Sequence, residues 1–153
     1  MNKIFITGFL FFTSFIQAEE CVPEPNASVY FISPKDNYVS KSSEVKIVFG
    51  IKNFDILPAG IIGCNSGHHH LVINAELPNL SRPIPSTENY IHFGKGQTET
   101  TINLKPGKHT LQLLVGDYAH IPHKNPIFSE KINIEIISSE YGLLILYPND
   151  LLS

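Results

Sequence analysis

The sequence predicts an all-β fold: an antiparallel immunoglobulin-like β-sandwich of about seven strands that follows a cleaved N-terminal signal peptide. Three observations carry that reading. Apolar residues recur with period two along most of the chain past residue 27, which is the signature of strands. Turn signals rich in Pro and Gly separate these runs at short intervals. No segment after residue 18 sustains a helical period.

Taken in order, Ser28 to Ser33 reads as a first strand, closed by Pro34 and the turn-forming Lys35-Asp36-Asn37. Val45, Ile47, Phe49 and Ile51 alternate with other residues, which describes a strand with one core face. A long connection from Asn53 to Gly67 leads into a short strand, His69 to Ile73. Glu76 to Asn89 holds Pro78, Pro83 and Pro85 and reads as an ordered loop. Thr98 to Leu104 is β-rich, and Pro106-Gly107 turns it into His109 to Val115. A loop with Pro122 and Pro126 follows, and Phe128 to Ile137 is the last clear strand. The division is therefore a signal peptide over 1–18, a domain over 19–137 and an extension over 138–153. The extension carries an apolar run, Tyr141 to Tyr147, that suits an edge strand or a docked tail and is too short to span a bilayer.

The first residues address the chain for export. Lys3 supplies a positive start, Ile4 to Ile16 is almost wholly apolar, and Ala18 precedes Glu19 and Glu20. A spanning helix needs ~20 apolar residues, so the run fits a cleaved leader better than an anchor. Cleavage is expected near Ala18, giving a periplasmic or secreted protein with no membrane span left after it. Losing Lys3 takes the net charge from −3 to −4. A mildly acidic domain without a basic run argues against nucleic acid and anionic membrane surfaces as partners. Two cysteines remain, Cys21 and Cys64. In an oxidising compartment an even count favours a disulfide, contributing about 3–4 kcal/mol by loop entropy. The competing reading makes Cys64 a metal ligand beside His68.

The seven histidines are the chemical feature of the chain. They fall as His68-His69-His70, as the separate His92 and His109, and as His120 with His123. Alternate side chains share a face of a strand, so His68 and His70 point one way and His69, Leu71 and Ile73 the other. Two residues of β rise separate such a pair by ~7 Å along the backbone, and imidazoles can converge on one ion from there. Pro122 fixes the backbone between His120 and His123. The expected ligands are therefore His68, His70, His120 and His123, with His92 in reserve, for copper or zinc. Asp117 and Glu76 are placed to orient an imidazole by bonding its far nitrogen. The alternative is purely structural: histidines that knit long loops in a domain contacting an envelope protein. His109 shares its face with Leu111, Leu113 and Val115 and reads as a structural residue.

Enzyme templates fit poorly. The chain holds no Gly-x-Ser-x-Gly, no His-Glu-x-x-His, no phosphate loop and no dinucleotide fingerprint. Asp117 can pair with His120 or His109, but no nucleophile is evidently placed beside them. A hydrolase ranks below the two binding readings.

Several segments together are similar to a bacterial exported domain of unknown function, DUF4399. They are Val29 to Pro34, Pro58-Ala59-Gly60, Gly67 to Leu71, Ile91 to Gly94, Gly96 to Thr100, Pro106 to Leu113 and Gly116 to His123. The likeness runs from about Ser28 to Ile137. It implies a bacterial source and a periplasmic or secreted location, and it implies no particular activity. The expected disulfide would be a local addition to the family pattern, and the run from Tyr141 to Ser153 lies outside the likeness.

Overall fold

The computed structural model describes residues 23–138. The leader over 1–18, Cys21 and the run Tyr141 to Tyr147 lie outside the described residues. Among the described residues the regular structure is all strand: β1 (Ser28–Ser33), β2 (Tyr38–Ser40), β3 (Glu44–Lys52), β4 (Asp55–Ile56), β5 (Ser66–Ile73), β6 (Tyr90–His92), β7 (Glu99–Asn103), β8 (Gly107–Gly116) and β9 (Ile132–Ile136).

They form two sheets. One has the order β1-β3-β7, all antiparallel. The other runs β2-β9-β8-β5-β4, with β6 pairing β5. In sandwich terms β1, β3 and β7 occupy the A, B and E places, and β5, β8 and β9 the C, F and G places of an immunoglobulin-like fold. The expected fold class is the one observed. The extra strands, β2, β4 and β6, have three residues or fewer, too short to reveal a period. Two parallel pairings, β2 with β9 and β4 with β5, interrupt the otherwise antiparallel pattern. The last strand starts later than the sequence suggests. Phe128 makes only an isolated bridge to Leu114, and β9 begins at Ile132.

Alternation explains the core. Val45, Ile47 and Phe49 of β3 face Leu71 and Ile73 of β5 and Leu111, Leu113 and Val115 of β8 between the sheets. β5 departs from simple alternation, because all eight of its residues are buried. Its inner face joins the core. Its outer face is covered by the proline-bearing connection between β5 and β6, which packs Leu77, Leu80 and Ile84 over Val72 and Leu114. A strand buried on both faces carries its histidines out of water whichever way they point, and this places the site described next.

Candidate metal centre

His68 and His70 leave β5 on its outer face, and His69 leaves on the inner face against Phe49, with ring centroids 4.9 Å apart. In the β5–β8 ladder His68 stands opposite Gly116 and His70 opposite Leu114. The missing side chain at Gly116 makes room: a Cβ there would lie 2.9 Å from Cε1 of His70 and 3.1 Å from Ile84. On the other side of β5, His92 of β6 is the cross-strand partner of His70. Cross-strand neighbours on one face sit close enough for direct contact. Gly94 helps in turn, since a Cβ at that position would overlap the His92 ring.

The fourth imidazole comes from the loop after β8. Asp117 organises that loop, its Oδ1 accepting the amides of Ala119 at 2.8 Å and Ile121 at 2.9 Å. Its carbonyl accepts the amide of His120 at 3.0 Å. His120 adopts φ 65°, a left-handed conformation that is uncommon outside glycine and often found at functional sites. That turn brings its ring to 4.9 Å from His68 and 4.6 Å from His92, with Nε2 of His120 3.1 Å from Nε2 of His92.

The result is a compact group. Ligand atoms of His68, His70 and His92 all lie within 4.8 Å of one another. Among the described residues this is the group of histidine, cysteine and acidic side chains that can hold an ion. His68 and His70 are fully buried, and neither ring nitrogen of either has a hydrogen-bond partner. Burial pushes His68 down to about 4 and His70 down to about 3, and the neighbouring imidazoles add to the effect. His92 is also lowered, by burial first and then by His120. Near neutral pH the strand pair is therefore uncharged, the form that donates a lone pair to a metal. His69 is likewise buried and unpartnered and is lowered to about 4, yet it stands alone on the core side. Unpartnered nitrogens alone do not mark a centre; the convergence of several rings does.

Other expected site residues are placed elsewhere. His123 is turned away from the group: its Nε2 bonds the carbonyl of Ser66 at 3.1 Å and its ring packs edge-on against Phe54. Pro122 does not hold the two loop imidazoles in parallel, because the left-handed turn at His120 separates them. Glu76 lies past the far end of β5, paired to Lys131 at 2.6 Å. Among the described residues the hydrogen bonds of Asp117 go to its own loop and position His120, and its charge also acts on His68, opposing the downward shift of that ring. Cys64 is not a free thiol and is absent from the group, and its expected partner Cys21 lies outside the described residues. His109 is a pin: Nδ1 meets the Asn74 side chain at 2.9 Å and Nε2 the carbonyl of Lys105 at 2.8 Å. Gly94 and Gly116, which shape the centre by what they lack, carry no signal in a single sequence that distinguishes them from turn glycines.

A larger hollow of about 780 Å³ opens between Tyr38, Asn74, Lys108, Lys131 and Glu135. Concavity alone would favour it as a site. Glu76 and Lys131 pair with each other there and His109 bonds Asn74, and among the described residues the metal-ligating side chains converge at the histidine group instead.

A family model for a domain of unknown function, DUF4399, matches residues 47–137, more than half of the chain. The chain belongs to the DUF4399 family. The match takes in β5, β6 and the loop after β8, and so all four converging histidines of this DUF4399 domain. No curated protein matches the chain. Among solved structures, the fibronectin(III)-like modules of Clostridium thermocellum CbhA are similar over 72% of this chain and 97% of theirs, with 15% identity and a TM-score of 0.43. No helix among the described residues is long and apolar enough to cross a membrane.

His123 serves as an internal control. His123→Ala is expected to leave metal binding unchanged and to cost about 1 kcal/mol through the lost hydrogen bond to Ser66. Urea denaturation and zinc titration of the variant check both halves.

Proposed function

We propose that this DUF4399 domain is an exported protein that binds a transition-metal ion, copper or zinc, at the histidine group. One observation carries the reading: three imidazoles from adjacent strands converge within 4.8 Å, two of them buried with both nitrogens unpartnered. A structural histidine ordinarily has its polar atoms hydrogen-bonded, as the half-buried His109 has at both ring nitrogens and His123 at Nε2. The knitting role suits those two and does not account for His68 and His70. The donor chemistry narrows the ion. An all-imidazole set without carboxylates suits zinc or copper, and does not suit calcium or magnesium, which take oxygen ligands. The leader over 1–18 supports a periplasmic or secreted location, and the same compartment supports pairing of Cys21 with Cys64.

The test is elemental analysis of untagged mature protein purified from the periplasm, followed by zinc and copper titration. One ion per chain with submicromolar affinity is expected. The double variant His68→Ala/His70→Ala is expected to lose it while keeping the β-sheet circular dichroism signal. A wild-type protein that retains no metal and titrates only weakly would refute the reading and direct attention to an envelope partner.

A further inference from the structure

Whether a histidine centre holds an ion or also leaves a position for water depends on its fourth neighbour. Here that neighbour is His120, and its placement is specific. The six centroid separations among the rings of His68, His70, His92 and His120 are 4.8, 4.8, 4.9, 5.1, 6.0 and 4.6 Å. Four imidazoles bound tetrahedrally at about 2.0–2.1 Å would have centroids about 5.2 Å apart in every pair, and ligand nitrogens about 3.3 Å apart. A square-planar ion would instead need two opposite pairs at about 6.4 Å. Only His70 with His120 approaches that value, while the opposite pair, His68 with His92, is at 4.8 Å. The Nε2 atoms of His92 and His120 share a hydrogen bond at 3.1 Å, a separation near the tetrahedral edge that an ion would span once it displaced the shared proton. The His120 backbone is held ready by Asp117 and by the Ile84 amide, which donates to the His120 carbonyl at 2.8 Å.

We infer that His120 is the fourth ligand of a closed, tetrahedral, four-imidazole centre suited to zinc(II), with no position left for water. This rests on the metal reading above and adds its coordination number, geometry and ion. Zinc(II) has no geometric preference of its own and accepts a tetrahedral frame, whereas copper(II) favours a tetragonal one. A closed sphere also fixes the role as holding an ion, because zinc catalysis requires an open position.

Cobalt(II) is the probe, because tetrahedral cobalt(II) absorbs visible light far more strongly than five- or six-coordinate cobalt(II). The mature wild-type protein, His120→Ala and His123→Ala would each be loaded with one equivalent and their visible spectra recorded. Zinc affinity would be measured by competition with a chromophoric chelator. The wild type and His123→Ala are expected to show the intense tetrahedral spectrum. His120→Ala is expected to keep one ion per chain, to show the weaker spectrum of higher coordination with water bound, and to lose at least tenfold in zinc affinity. An identical spectrum and affinity in the wild type and His120→Ala would overturn the inference and leave the three-histidine reading standing. A weak, high-coordination spectrum in the wild type would do the same. Failure of the wild type to bind cobalt or zinc at all would overturn both.

Discussion

Acidifying the metal-free domain from pH 7 toward pH 4 is expected to unfold it. His68, His69 and His70 are held at about 4, 4 and 3 in the fold, against an ordinary value of 6.5. Burial is the leading cause for each. Between those values the unfolded chain binds protons that the fold cannot take up, so stability falls as pH falls. The stabilisation is complete above about 6.5 and is lost progressively as pH drops through the folded values. Three such protons set an upper limit of about 4 kcal/mol per pH unit in that window. Two units of that slope remove as much as about 8 kcal/mol, a large part of a total stability of about 5–15 kcal/mol. Zinc opposes the effect, because it binds the deprotonated rings of the fold. At a hundredfold excess over its dissociation constant it adds about 2.7 kcal/mol. Urea denaturation at pH 7.5, 6.0 and 5.0, with and without zinc, reads both effects. A midpoint that stays level over this range would show that the three rings are not held neutral by the fold.

Gly67→Ala and Gly94→Ala are expected to fail in opposite ways. A Cβ at Gly67 would overlap the carbonyl oxygen of Gly116 in the neighbouring strand. The clash is with backbone and not with the end of a flexible side chain, so β5 and β8 must shift apart at the end of their ladder, where His68 is paired. A loss of about 1–3 kcal/mol or more is expected, together with loss of metal. A Cβ at Gly94 would overlap only the His92 ring, the free end of a side chain. The ring swings out, the fold keeps its melting temperature, and zinc affinity falls because one ligand has left. Thermal melts of the metal-free variants beside zinc titrations separate the two. Equal losses of stability in both would mean that the glycines act through backbone freedom and not through the space they leave.

The sequence makes some of this centre legible and hides the rest. The His-x-His spacing puts His68 and His70 on one face because a strand has period two, and the structure places them so. The faces of Leu71 and Ile73 follow from the same rule. His92 is harder to read, since its place beside His70 depends on the register of a three-residue strand at the end of a long loop. His120 and His123 look equivalent in sequence, two imidazoles around Ile121-Pro122. A left-handed residue at His120, which no spacing rule announces, sends them in different directions. The Asp117 carboxylate suggests an imidazole partner, but two loop amides claim it. The connection from Glu76 to Asn89 reads as an ordered loop; that it seals the outer face of β5 depends on tertiary packing of Leu77, Leu80 and Ile84.

The division of the histidines between ladder and loop also sets how an ion comes and goes. His68 and His70 ride on β5, whose backbone bonds to β8 lie in the middle of a sheet and open only with large parts of the fold, while His92 rides on the three-residue β6 paired to β5. His120 rides on a turn closed by hydrogen bonds of its own and tied to neighbouring loops by the amides of Ile84 and Gly60. On the metal reading above, release would begin with that turn, and the residence time of an ion would follow the opening rate of residues 117–121 instead of the unfolding rate of the sandwich. A partner that pulled on this turn would empty the centre quickly and leave the domain intact to be filled again.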